Sequence, residues 1–591
     1  MFTRLRTALA RLPWWLVLLF GVACVVLGGV LVARPFDSLS VLHWLVAAAL
    51  IVTGVAEIVS ASASTRPWLS WVTGVGWIVA GVLAVAWPGI TLFALAVVIG
   101  IALLVGGAVR IASAVFGGGD ERFIVGLGGL ASVVVGLLVL SWPSVTVLVL
   151  AVIVGVGTAV FGFGQIGIAL KLRGAPSGSV EPGELAREET RWPMWVRLTG
   201  VIVVLVLALG GAAISAAIHR AQPDAPPEFY TAPSPLPDGP PGTIIRSEVI
   251  DDFYQGATAY RVLYTSTGYD GDPTAVSGII VVPDGSAPAE GRKVIAWTHG
   301  TVGVASKCSP SLIPDYGPTL AGIEEFMEAG SVIAATDYQG LGTPGPHPYL
   351  VGESEGVGAL DSVRAARNLD EADASADFVV WGESQGGQAS LFTGQLASTY
   401  APELNLVGVV ASAPASDLVD LFKAKSGDGT AVGKILVSMA ISSWARVYDD
   451  AELNQILTPA ARPLVNRIAE NCILNPAQIL ASVPAATALN VTFLSEPPWD
   501  TEPWTRIVAE NTPGGTTTGA PILITQGEAD PIISPNIQQQ FVNKLCDSGN
   551  TVDYRTYPGI GHVTAAHDTA PDVVQWISDR FAGKPAPNTC P

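Results

Sequence analysis

Asp377-Phe378-Val379-Val380-Trp381-Gly382-Glu383-Ser384-Gln385-Gly386-Gly387 is the stretch from which the fold is read. Residues 377–381 form an apolar, β-favouring run, and Gln388-Ala389-Ser390-Leu391-Phe392 beyond the glycines permits a helix. A Gly-x-Ser-x-Gly between a strand and a helix places its serine on a sharp turn at the strand's end. Glycine suits 382 and 386 because a β-carbon there would strike neighbouring backbone. The helix that begins beyond Ser384 aims free N–H groups and the positive end of its dipole at the hydroxyl.

The pattern alone is weak, since the chain holds 64 glycines. Gly352-Glu353-Ser354-Glu355-Gly356 fits the same expression. It follows Pro346-His347-Pro348-Tyr349, which is turn chemistry and not a strand. Ser354 is therefore read as a helix-entry residue ahead of 357–369, and Ser384 as the nucleophile.

A serine on such a turn needs an acid and then a histidine later in the chain. Pro521-Ile522-Leu523-Ile524-Thr525-Gln526-Gly527 is an apolar strand running into Glu528-Ala529-Asp530-Pro531. Asp530 can cap that turn and accept from an imidazole; Glu528 is the nearest rival. Of six histidines, His562 stands on a glycine loop after the strand 552–557. His567 reads as a surface residue at a helix start. His562 would take the proton of Ser384, and Asp530 would fix the imidazole's tautomer. The oxyanion calls for backbone donors worth roughly 3–4 kcal/mol each. One is the N–H of Gln385; the other comes from His299-Gly300-Thr301 or from the turn Asp337-Tyr338-Gln339-Gly340. His299 is either packed beneath its loop or part of the site.

At 591 residues the chain exceeds one ordinary domain. Its mean hydropathy of +0.46 and 14% charged residues point to a membrane protein. The apolar excess is confined to residues 1–220. A net charge of −19 argues against nucleic acid, because phosphate binding needs clustered Lys and Arg. Cys24 lies in an apolar run, whereas Cys308, Cys472, Cys546 and Cys590 fall in the polar half. An even count there suits an oxidising compartment. The pairs Cys308–Cys472 and Cys546–Cys590 are expected, one of three possible connectivities, and none of the four has metal-ligand spacing.

A bilayer crossing needs about 20 apolar residues. Seven runs qualify: 14–33, 41–60, 69–87, 91–115, 123–141, 145–170 and 197–218. Arg34-Pro35, Trp87-Pro88 and Trp142-Pro143 each separate two runs, and Gly54 to Ile58, Gly107 to Ile111 and Gly162 to Ile166 recur about a hairpin's length later. Proline suits a helix start, and glycine lets helices approach closely. Arg4, Arg6, Arg11, Arg66, Arg122, Lys171, Arg173, Arg187 and Arg191 fall on one side if the N-terminus is cytoplasmic. The seventh run then carries the rest of the chain outside. Glu57 and Arg110, at equivalent repeat positions, are read as snorkelling to the cytoplasmic surface. This half resembles the HdeD-like (DUF308) family of six-helix membrane proteins, over roughly residues 10–172.

The expected fold is an N-terminal all-α membrane bundle, six helices in three hairpin repeats plus a seventh span, followed by an α/β-hydrolase domain with a helical cap. The divisions are a six-helix domain at 1–172, a cytoplasmic loop at 173–196, a span at 197–218, a Pro-rich linker at 219–242 and the hydrolase at 243–591. The linker is expected to be an extended spacer. Short strands at 243–249, 257–266, 275–282 and 293–298 precede alternating helices and strands, the pattern of a mostly parallel sheet. The cap is placed at about 413–519, far longer than a βα connection, with apolar residues suited to an acyl pocket.

Residues 240–591 also resemble the secretory lipase family. The matching segments are Cys308-Ser309-Pro310-Ser311, Thr336 to Gly340, Leu360 to Ala366, Gly382 to Gly386, Tyr400 to Gly408, Gly527 to Asp530 and Gly561-His562. The resemblance implies a Ser384–Asp530–His562 triad, a cap, and the backbones of Asp337 and Gln385 as oxyanion donors. His299-Gly300 departs from it and looks like the ordinary hydrolase oxyanion loop. The expected function is a membrane-tethered, extracytoplasmic serine esterase or lipase acting on acyl-ester lipids through an acyl-enzyme, with no metal or organic cofactor. Its rivals are acyl transfer on the same triad and a membrane stress protein that only binds.

Overall fold

The computed structural model describes residues 221–591 apart from 428–429 and 490–492. In the N-terminal region it describes three helices and scattered positions among 51–82 and 158–220. The chain divides into two compact units, one built on residues 1–217 and the other on Ile218–Ala486 with Phe493–Pro591.

In the first unit the helices are Trp14–Ala33, Pro88–Phe116 and Arg122–Ser141. The second and third meet at glycine: a β-carbon on Gly107 would lie 2.7 Å from the carbonyl oxygen of Gly129. Only small residues permit that approach. Among the described residues no helix is long and apolar enough to cross a membrane. The remaining expected spans, at 41–60, 69–87, 145–170 and 197–218, lie in part outside the described residues, and Glu57, Lys171, Arg187 and Arg191 lie outside them.

The second unit is built on one nine-stranded sheet. Its strands are β1 (Ile244–Ile250), β2 (Ala257–Thr267), β3 (Pro273–Pro283), β4 (Arg292–Thr298), β5 (Val332–Thr336), β6 (Ala374–Glu383), β7 (Asn405–Ser412), β8 (Ile522–Gly527) and β9 (Val552–Tyr557). Their spatial order is β1-β2-β3-β5-β4-β6-β7-β8-β9. β1, β2, β3 and β5 pair antiparallel, and every pair from β5 through β4 to β9 is parallel. This is the α/β-hydrolase arrangement.

Alternation along the central strands explains the two-sided burial. Val294, Ala296, Phe378, Val380, Val409, Ala411, Ile522 and Ile524 face one core. Ile295, Trp297, Val379, Trp381, Val410 and Leu523 face the other. Successive side chains point to opposite faces, so a strand buried on both sides reads as continuously apolar. Leu360 and Val363 of the Gly352–Asn368 helix and Leu391 of the Gln385–Tyr400 helix cover the first face. Val573, Trp576 and Ile577 of the Ala570–Phe581 helix cover the second.

Between β7 and β8 the chain forms helices Leu418–Gly427, Ala431–Val447, Arg462–Ala469, Pro476–Leu489 and Trp504–Glu510. Cys308 is bonded to Cys472 and Cys546 to Cys590, with Cα–Cα distances of 5.2 and 5.4 Å. The first tie joins the β4–β5 connection to this helical insertion; the second fastens the C-terminal tail.

The expected spacer at 219–242 requires correction. Gln222 accepts from the Cys472 N–H at 2.8 Å, and Gln478 Nε2 donates to the Ala221 carbonyl at 2.8 Å. Tyr230 is 1% exposed and shares a 2.7 Å hydrogen bond with Ser311 Oγ. Arg246 donates to the carbonyls of Phe229 and Thr231. Proline content suggested a free stalk, but one aromatic anchor and paired backbone groups bind the segment to the domain surface.

Candidate active site

β6 ends at Glu383, and the helix Gln385–Tyr400 begins two residues on. Ser384 between them has φ 54° and ψ −116°, a conformation that a non-glycine residue holds only where its surroundings enforce it. Its N–H donates to the Ser412 carbonyl at 2.9 Å, and its own carbonyl accepts from the N–H groups of Gln388 and Ala415. The flanking glycines are dictated by contact. A β-carbon on Gly386 would lie 1.9 Å from the Thr298 carbonyl oxygen, and one on Gly382 would lie 2.4 Å from that of Gly386.

Two connections at the carboxyl end of the sheet bring the partners in. Asp530 follows β8, and His562 follows β9. His562 Nε2 lies 2.9 Å from Ser384 Oγ, and its Nδ1 lies 2.8 Å from Asp530 Oδ2. The Asp530 side chain is fully buried and that of His562 only 10% exposed. Asp530 Oδ1 accepts from the N–H groups of Ile532 and Ile533 at 2.8 Å each, and Oδ2 accepts from Gln526 Nε2 at 3.1 Å. With its lone pairs so committed, the carboxylate is held in one orientation toward the imidazole.

The rivals lie elsewhere. Glu528 is exposed and accepts from Thr556; His567 is exposed and hydrogen-bonds the Thr319 carbonyl. Ser354 sits in the first turn of the Gly352–Asn368 helix, 5% exposed, with its Oγ 3.4 Å from Gln339.

The structure separates the oxyanion candidates. Asp337 is excluded as a backbone donor because its N–H already donates to the Ser277 carbonyl at 2.8 Å. Its carboxylate is enclosed as well, accepting from Ser277 Oγ, from the Ser311 N–H and from the Ser311 hydroxyl. The backbone N–H groups of Gln385 and Thr301 donate to no acceptor among the described residues, and both residues line one cleft with Ser384. His299 is 3% exposed, with Nδ1 2.7 Å from the Gly300 carbonyl and Nε2 3.3 Å from the Asp337 carbonyl; a neutral ring donates to only one of them, and the shorter contact favours Gly300. Burial holds its pKa below the ordinary value. It is a packed neutral ring under the oxyanion loop.

The cleft at Ser384 is walled by Leu418, Leu421, Phe422, Leu436, Val437 and Ile533. Phe422 stacks on Trp444 at 5.3 Å, which stiffens the wall. Sequence reading foresaw apolar helices here but not which faces would meet the serine, because that follows from how they pack. Burial also pushes the Glu383 carboxyl up to about 7, opposed by charge on His562.

Against known proteins, residues 319–589 match the secretory lipase family model, and residues 19–73, 72–138 and 127–180 each match the short repeat of unknown function DUF308. A probable inactive lipase of Mycobacterium tuberculosis is 26% identical over 380 residues, 60% of this chain and 82% of that protein. A secreted triacylglycerol lipase of Malassezia globosa is 25% identical over 388 residues, 61% of this chain and 80% of that one. The crystal structure of Candida antarctica lipase A in its closed state superposes with a TM-score of 0.52 at 19% identity, covering 62% of this chain and 87% of that one.

Proposed function

We propose that this protein is a membrane-tethered, extracytoplasmic serine esterase that hydrolyses acyl-ester lipids through Ser384, His562 and Asp530. The chain is a carboxylic ester hydrolase, by its secretory lipase match and its triacylglycerol lipase relatives. The observation that carries the catalytic assignment is the relay at 2.9 and 2.8 Å from Ser384 Oγ through the imidazole to Asp530. One relative is named an inactive lipase; here all three groups are in hydrogen-bond register.

The chemistry follows from the geometry. His562 Nε2 removes the hydroxyl proton as Ser384 Oγ attacks the ester carbonyl. The negative charge that develops on the carbonyl oxygen is met by the N–H groups of Gln385 and Thr301. The imidazolium, steadied by Asp530, returns its proton to the departing alkoxide, leaving an acyl group on Ser384. Water then enters, loses a proton to His562 and releases the carboxylic acid, restoring the serine. The acyl chain lies in the cleft between Leu418, Phe422 and Val437.

Tethering rests on the apolar N-terminal runs and the repeat match, and an exterior location on the two disulfides of the hydrolase unit. Turnover of short- and long-chain p-nitrophenyl esters by the full chain, wild type against Ser384→Ala, tests the catalytic reading. Equal rates would end it. After reduction of intact cells, a membrane-impermeant maleimide labels Cys546 and Cys590 if the domain is outside, and fails to if it is not.

A further inference from the structure

The second Gly-x-Ser-x-Gly stretch touches Gln385, the neighbour of Ser384, through its fourth residue. Glu355 is fully buried in the Gly352–Asn368 helix. Its Oε1 accepts from Gln385 Nε2 at 2.7 Å and from the Leu350 N–H at 2.8 Å. Leu350 lines the cleft and has φ 56°, a strained backbone that presents this N–H to the carboxyl. Gln385 Nε2 lies 3.4 Å from His347 Nε2. His347 Nδ1 donates to the Gln339 carbonyl at 2.9 Å, so in the neutral ring Nε2 is the acceptor for the amide's second hydrogen.

Two buried atoms remain without partners: Glu355 Oε2 and Gln385 Oε1. Both are acceptors when the carboxyl is ionised, and an unpaired buried acceptor is costly. A proton on Oε2 would supply a donor where this acid–amide pair otherwise has only unpaired acceptors, while the amide N–H to Oε1 contact stays as it is. No ion pair among the described residues includes Glu355. The titratable groups facing it and Gln385 are Tyr338 and Tyr349, whose hydroxyls are held neutral by burial, and His347, pushed down to about 3. Among the described residues no cation offsets a charge there.

We propose that Glu355 is an uncharged carboxylic acid that positions Gln385 and, through that side chain, the backbone N–H that receives the oxyanion beside Ser384. Glu355 touches no reacting atom; it is a positioning residue. Burial pushes its carboxyl up to about 8, in keeping with a protonated group at neutral pH.

The proposal rests on ester hydrolysis at Ser384, and the experiment separates the two. In the full-length protein, Glu355→Ala is expected to lower kcat about 30-fold with KM within about threefold, since a misaligned donor costs transition-state stabilisation more than substrate binding. Glu355→Gln, whose amide supplies the missing donor without a charge, is expected to recover most of that loss and to lack the fall in kcat expected of the wild type above about pH 8. A Glu355→Ala enzyme with wild-type kcat overturns the proposal, and so does a Glu355→Gln enzyme that retains the alkaline fall. Infrared difference spectra of wild type minus Glu355→Gln at pH 6.5 read the proton without turnover, and serve if Glu355→Ala fails to fold. A protonated-carboxyl band supports the proposal, and a carboxylate band overturns it. If the wild type turned over no ester, the hydrolase reading would fail while this band still decided the state of Glu355.

Discussion

Two stretches of this chain satisfy one five-residue pattern, and they do opposite things. Gly382 to Gly386 closes a strand buried on both faces, and its serine is thrown into φ 54° by the strand before it and the helix after it. Gly352 to Gly356 opens a helix from a loop, and its serine is an ordinary first-turn residue buried beside Gln339. The letters are the same, so the difference lies in what precedes them. A strand delivers the chain to the sheet's carboxyl edge with its direction fixed, and the helix must then start within one residue. A loop imposes no such constraint. The second glycines differ in degree too: a β-carbon at 386 would meet the Thr298 carbonyl oxygen at 1.9 Å, whereas one at 356 would meet the Leu396 side chain and the Thr393 backbone nitrogen at 3.0 Å.

That contrast can be broken most directly at the serines. Ser384→Ala is expected to lower kcat by at least about 10⁴-fold, and Ser354→Ala by less than about tenfold. Ester turnover assays of both variants check this, and the reverse ranking would place the nucleophile on the wrong helix. The glycines sharpen it next. Gly386→Ala is expected to yield no stably folded hydrolase unit, while Gly356→Ala costs about 1–3 kcal/mol, as overpacking does; thermal unfolding separates them. The link to the imidazole is third: Asp530→Asn should retain the fold and lower kcat by about 10³- to 10⁴-fold by leaving the wrong tautomer.

The smallest expected effect is a pH dependence of stability, and it belongs to the second stretch. The Glu355 carboxyl is raised from an ordinary 4.5 to about 8, so between those values the folded state binds more protons than the unfolded chain. Stability from this group is then full below about pH 4.5 and lost as pH rises toward 8. The Tm of Glu355→Gln minus that of wild type should be flat below that window and widen through it. His347, lowered to about 3, works in the other direction: its contribution is lost as pH falls from 6.5. Scanning calorimetry across pH 4–9 reads both.

Much of the hydrolase unit was legible in the residues. The alternation of Val379, Val380 and Trp381, the glycine spacing and the order Ser384, Asp530, His562 are local signals, and local signals survive in a string. The choice between the Thr301 and Asp337 N–H groups was not legible, because whether the Asp337 N–H is free depends on β3 laying the Ser277 carbonyl beside it, 60 residues away in sequence. The linker was misread for a related reason. Proline content reports stiffness, but Tyr230 needs a pocket before it can anchor anything, and that pocket belongs to Ser311 and its neighbours.

The sequence by itself therefore determined the order of elements, the sharp turn that carries Ser384 and the order in which Asp530 and His562 follow it. Each depends on short-range pattern and on backbone sterics. Tertiary structure alone decided that the discarded copy of the motif would place Glu355 against Gln385, which N–H groups stay unclaimed, and where the segment before β1 comes to rest. Those are outcomes of packing, in which a buried polar atom must find a partner wherever the fold has put one.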